Sequence, residues 1–113
     1  PIGVHSPGYV AENDAAAQEE FWPSYKAMRD RIGADRGWPP MARREFDSEI
    51  EHGSLYVGGP ETVARKIAAT VKTLGAQRFQ LKYSAGGLSH ARMMRCIELY
   101  ATQVVPRVRD LLA

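Results

Sequence analysis

The residues of this 113-residue chain whose types could do chemistry gather around two glycine pairs. Arg78-Phe-Gln-Leu-Lys-Tyr-Ser84 alternates apolar and polar side chains, then runs into Gly86-Gly87. Such alternation marks a strand with two unlike faces. Lys82 and Ser84 then stand near the strand's end, a cation and a hydroxyl that can hold an anion or polarise a carbonyl. Gly58-Gly59-Pro60 opens a helical segment in the same way. Free N–H groups at a helix start can bind phosphate, and glycine lets a ligand approach the backbone closely. Gly58, Gly59, Gly86, Gly87, Lys82 and Ser84 are therefore the candidate cofactor-contacting residues. Neither turn matches the dinucleotide fingerprint or the lysine-containing phosphate loop, and turn geometry alone also accounts for the glycines.

Three histidines add little. His5 ends an extended run, the right place for a site residue if the strands form a barrel. His90 falls in the first turn of a helix beside the same mouth. His5, His52 and His90 are far apart, and no Cys or carboxylate stands at metal-ligand spacing to them, so no metal is expected. No serine sits in a nucleophile elbow, and no carboxylate pair is assignable to hydrolysis. Catalytic residues are unassigned at this level. The single cysteine, Cys96, forbids an internal disulfide and fits a reducing, cytoplasmic compartment. It lies in a helical pattern and reads as a structural thiol.

The elements that must position these groups are two βα units in succession. Leu55–Val57 is a short strand, Gly59 an N-cap, Pro60 the first helical residue, and Val63, Ile67, Val71 and Leu74 an apolar stripe closed by Gly75. The strand at 79–83 is followed by Ser89 as N-cap and a helix striped by Met93, Ile97, Tyr100, Val104, Val108 and Leu111. Pro106 should kink or divide that helix. Such units build parallel sheets with ligand sites at the strand C-termini. If Phe79, Leu81 and Tyr83 pack under the helices, Gln80, Lys82 and Ser84 point inward. The opposite register puts Tyr83 at the mouth, and a solvent-facing polar row is equally allowed. Upstream, Ile2 to Val10 is extended and should end or bend near His5, because Ser6-Pro7-Gly8 follows. Asn13 caps a helix through Ile32, with a kink or division at Pro23 and a stop at Gly33. A second helix, Met41–Glu51, would bury Met41, Phe46 and Ile50.

Length and composition permit one domain at most. No apolar run approaches the ~18 residues of a membrane span. Residues 1–59 carry six Lys/Arg and ten Asp/Glu, net −4, whereas 60–113 carry nine and three, net +6. Opposite halves can attract within a chain or between chains. The basic residues are scattered without interleaved aromatics, so nucleic-acid binding is not expected.

Tyr56-Val-Gly-Gly-Pro-Glu-Thr-Val-Ala-Arg-Lys-Ile67, followed by Leu74-Gly75, Arg78-Phe79, Gly86-Gly87-Leu88, Met94-Arg95, Ile97-Glu-Leu-Tyr100 and Val104-Val-Pro-Arg107, resembles the C-terminal part of the luciferase-like flavin-dependent monooxygenases. Pro7-Gly-Tyr-Val-Ala-Glu12 fits as well, so the resemblance covers nearly the whole chain. It implies an α/β fold in which residues 1–113 are about the last three βα units of a (β/α)8 barrel, rearranged if they stand alone. It also implies a parent that uses FMN or the deazaflavin F420 to oxidise a small organic substrate. The family's flavin contacts come largely from earlier strands, so the isolated chain should be inactive and hold no cofactor. Gly58, Gly59, Pro60 and Glu61 match the family pattern as turn and helix-start residues. The chain starts at Pro1 without a leader pattern and reads as a trimmed or engineered piece. Three parallel strands leave open edges and an uncovered face, so a homo-oligomer through the stripe Met93 to Leu112 is expected. The alternative is a small non-enzymatic oligomerisation or binding module derived from the barrel.

Overall fold

The computed structural model describes residues 3–83 and 86–113. The start of the extended run at Ile2 and the candidate Ser84 lie outside them. Three parallel strands, β1 (Gly3–Val10), β2 (Tyr56–Gly58) and β3 (Arg78–Lys82), form one sheet in the order β2-β1-β3. Consecutive barrel strands would lie in sequence order. Here the first strand is central, and the connection from β2 to β3 passes over it. The reason is length: β1 has eight residues, enough to pair with β3 over Gly3–Pro7 and with β2 over Gly8–Val10. With three residues, β2 has little ladder to offer a second neighbour.

That division of β1 corrects the expected break near His5. The strand runs straight through Ser6-Pro7-Gly8. Pro7 lacks an N–H for a ladder, and it occupies the position where one ladder ends and the other begins.

Helix α1 (Asp14–Arg36) is a single helix through Pro23, capped by the Asn13 side chain on the Ala16 N–H at 2.9 Å. It also passes Gly33 and stops at Gly37, whose φ of 73° is the left-handed conformation glycine tolerates. Gly33 is instead buried against Trp38, where a Cβ would lie 3.2 Å from the tryptophan Cβ. Helix α2 (Arg43–Glu51) buries Phe46 fully and Ile50 in part, and Met41 just before it is buried too. Helix α3 (Pro60–Leu74) starts and ends at the expected Gly59 and Gly75. Its buried stripe is Val63, Ala64, Ile67 and Ala68, while Leu74 is exposed.

The C-terminal helix departs from the expected stripe. Ser89 caps α4 (His90–Leu99), Tyr100–Val104 forms a π-helical turn, and α5 (Val105–Leu112) follows. The wide turn carries the Val105 N–H to the Tyr100 carbonyl. Such a bulge absorbs the lost hydrogen bond and the ring clash of Pro106 without a break. It also rotates the buried face. Cys96 and Leu99 point into the core and Ile97 does not, whereas Val104, Val108 and Leu111 keep their inward positions. Much of the stripe proposed as an interface thus serves the chain's own core, leaving Met94, Ile97 and Leu112 exposed.

Among the described residues, two ion pairs join the acidic and basic halves, and a third lies within the basic half. Arg95 of α4 donates to Glu12 at 2.6 Å, and Arg92 lies 3.8 Å from Glu20 of α1. Glu61 at the start of α3 accepts from Arg107 of α5 at 2.9 and 3.2 Å. Exposed pairs of this kind add little stability singly.

Cys96 is 1% exposed, and the Val10 N–H donates to its sulfur at 3.3 Å. Burial pushes the thiol above its ordinary value, so little thiolate forms near neutral pH. A thiol reagent is expected to leave Cys96 unmodified in the folded protein and to react fully once urea unfolds it. Rapid modification of native protein would contradict this packing.

Candidate functional site

Residues paired across a parallel ladder share a face, and faces alternate along a strand. Tyr9 pairs with Val57, and its ring stacks on Phe21 of α1 at 5.3 Å and 7°. Pro7 with Lys82 and His5 with Gln80 lie on that same face. Helix α1 covers only the Tyr9 end, and His5, Gln80 and Lys82 are exposed. The other face is marked by Tyr56, whose hydroxyl meets that of Thr70 of α3 at 2.8 Å. Phe79 and Leu81 belong there, with the Tyr56 and Phe79 rings 4.9 Å apart. Of the two registers the sequence allowed, this is the one with Gln80 and Lys82 turned away from the packed helices.

The resulting row, His5-Gln80-Lys82, borders an open hollow of about 630 Å³ that wraps the free edge of β3, with Phe79, Leu81, Tyr83 and Tyr100 of the π turn as its apolar lining. None of the three polar side chains is engaged in a hydrogen bond or ion pair among the described residues. A cation, an imidazole and an amide stand on one surface and can donate to an anion or a carbonyl. The sequence identified Lys82 and His5 separately; the ladder register brings them together.

The glycine pairs go elsewhere. The start of α3 is already filled: Asp14, in the first turn of α1, accepts from the Gly59 N–H at 2.7 Å and from the Thr62 hydroxyl at 2.9 Å. A carboxylate suits the positive end of a helix dipole, so Asp14 of α1 already stands where an anion at the start of α3 would lie. Both glycines make room for this contact. A Cβ on Gly58 would lie 2.8 Å from the Asp14 carboxylate, and one on Gly59 would lie 3.1 Å from the Asn13 Cα. Gly86 and Gly87 have φ of 81° and 78° and border a separate hollow of about 320 Å³ with Ser24 and Arg31 of α1. Among the described residues no group of three His, Cys, Asp or Glu is placed to hold a metal ion. His52 and His90 are exposed, His52 beside Glu51 at 3.7 Å.

Asp14→Ala is expected to cost about 1–2 kcal/mol, the usual worth of a capping carboxylate. Urea unfolding measures it. The variant should also gain thermal stability on exchanging chloride for phosphate, because an anion can occupy the vacated helix start. An unchanged unfolding midpoint would remove Asp14 from this role.

A three-stranded parallel sheet with helices over one face, α1 over part of the other and a polar row beside it is an α/β arrangement. Among solved structures, the chain is similar to the monooxygenase RslO1 from Streptomyces bottropensis, with a TM-score of 0.73 and 19% identity over 93% of this chain. It is also similar to the oxygenating constituent of 3,6-diketocamphane monooxygenase from the CAM plasmid of Pseudomonas putida. That protein is a type II Baeyer–Villiger monooxygenase in complex with FMN, and the TM-score is 0.62 with 21% identity over 94% of this chain. The chain spans only 30% and 33% of those proteins. At such identities the likeness is one of fold. No protein-family model and no curated protein matches the chain. Among the described residues no helix is long and apolar enough to cross a membrane.

Proposed function

We propose that this chain is the C-terminal third of a luciferase-like flavin-dependent oxidoreductase with a (β/α)8 barrel, acting on a small organic substrate. The observation that carries the reading is the fold likeness of nearly the whole chain to about a third of two monooxygenases. The polar row supports it. His5, Gln80 and Lys82 lie on the sheet face that α1 covers only at its Tyr9 end, which leaves this row open to a ligand.

The donor set fits FMN or F420, both of which carry a phosphate and a carbonyl-rich ring. When bound, either would supply the redox chemistry. The chain's own contribution is binding and orientation. Lys82 balances negative charge, His5 and Gln80 donate hydrogen bonds, and the Tyr83 and Tyr100 rings offer apolar surface to a bound ring. Gly58, Gly59, Gly86 and Gly87 act in this reading through the turns they permit. Residues 1–113 alone are expected to show no turnover, since most of a barrel's lining lies on other strands.

The test is titration of FMN, and separately of F420, into the polypeptide of which this chain forms the C-terminal part. Saturable binding is expected, weakened about tenfold by Lys82→Ala through loss of a charge-assisted hydrogen bond. Failure of that polypeptide to bind either cofactor would overturn the proposal. The second reading, a non-enzymatic module that self-associates, is favoured by one observation: Met94 and Ile97 of α4 are 51% and 38% exposed. A native product of about 12.5 kDa that sediments as an oligomer would favour it.

A further inference from the structure

A second pocket lies away from the sheet, in the cleft between α1 and α2. It has a volume of about 620 Å³ and a floor formed by Tyr25 and Met41. Tyr25 is only 9% exposed, and its hydroxyl has no hydrogen-bond partner among the described residues, although every fully enclosed side-chain polar atom has one. Its oxygen therefore opens into the cleft. Burial raises its pKa, so at neutral pH it is a proton donor. Arg29 and Arg44 flank the same space. Neither is paired with a carboxylate among the described residues, in contrast to Arg43 next door, which binds both Glu19 and Asp47. Arg29 is held in place by stacking on the Trp38 ring at 4.6 Å.

Two carboxylates also face the cleft, and both already accept from the protein. Glu45 takes the Ala42 N–H at 3.4 Å. Glu49 takes the Ser54 N–H and hydroxyl at 3.2 and 3.3 Å. Those donors are neutral, so both carboxylates keep their charge, Glu49 acts on the Tyr25 hydroxyl, and the two guanidiniums bring the lining to charge balance. Two guanidiniums outside any ion pair and an unpartnered phenol are the donors this half-buried cleft offers to an oxyanion.

We propose that the α1–α2 cleft is a binding site for an organic oxyanion, a phosphate ester or a carboxylate, with Arg29, Arg44 and Tyr25 as its donors and Met41 against its apolar body. The site is separate from the His5-Gln80-Lys82 row and stands whether or not a flavin binds there.

Calorimetric titration of the intact protein at constant ionic strength tests it, with phenyl phosphate and benzoate as parallel probes. Saturable one-to-one binding of at least one probe is expected, and the arm that saturates identifies the class. Arg44→Gln, at an exposed position, and Tyr25→Phe, which keeps the ring, should each weaken binding about tenfold while thermal melting stays that of a folded protein. Lys82→Ala should leave it unchanged. Absence of saturable heat with both probes, or binding indifferent to Arg44→Gln and Tyr25→Phe, would overturn the assignment.

Discussion

Gly8→Ala is expected to destabilise the protein by about 3 kcal/mol, the upper range for forcing a methyl group into a filled space. A Cβ on Gly8 would lie 2.4 Å from both the Tyr56 carbonyl oxygen and the Leu81 Cδ1. The leucine can swing away. The carbonyl is backbone and cannot move without shifting β2. Gly8 does not have a left-handed φ, so space alone requires glycine. Its position makes the cost large: Gly8 is the first β1 residue to pair with β2, directly after the last to pair with β3. A strand of three residues has no reserve if its first pair is pushed apart. Urea unfolding would report the loss, and hydrogen exchange at Tyr56 to Gly58 should accelerate beyond the rest of the sheet. A change under about 1 kcal/mol, within the range of ordinary surface substitutions and their errors, would mean that β2 approaches β1 less closely.

Local chemistry made much of this fold legible. Asn13, Gly59-Pro60, Gly75 and Ser89 are capping residues whose side chains or backbone freedom act within a few residues, and each is found where its chemistry puts it. Tertiary context decided the rest. Alternation in Arg78–Lys82 identifies a strand with two faces, but nothing in it says that β3 pairs with β1. The proline at position 106 signals a disturbance, yet whether it yields a kink or a wide turn depends on packing. The wide turn then moves the inward position from Ile97 to Cys96 and Leu99. The candidate site was half legible: Lys82 does end its strand, whereas His5, expected at a strand end, is the third residue of β1, and their shared face follows only from the register. The α1–α2 cleft was missed because arginines and glutamates on helices ordinarily read as solvated surface. A signal did exist. Phe21, Tyr25 and Arg29 recur at four-residue spacing, which sets a guanidinium on the buried stripe of α1.

Phe46→Ala should have the largest effect on the helical layer, about 3–5 kcal/mol for removal of a fully buried phenylalanine. Phe46 is 0% exposed, with its ring 5.0 Å from that of Trp22 and 5.9 Å from that of Tyr25. Arg43 lies over the same ring at 5.4 Å. Phe46 is the only fully buried residue of a nine-residue helix. A helix that short is not stable without packing, so α2 depends on this anchor to stay on α1. Native stability for a chain this size is on the order of 10 kcal/mol, and the substitution would remove a third or more. The denaturant slope separates two outcomes. An unchanged slope with a lower midpoint means that α2 remains docked over a cavity. A reduced slope means that α2 has already left the native state, exposing surface before the main transition. In the second case the cleft wall bearing Arg44 and Glu45 is lost, and oxyanion binding must vanish with it. Binding at wild-type strength in a variant with a reduced slope would place the oxyanion site elsewhere in the molecule.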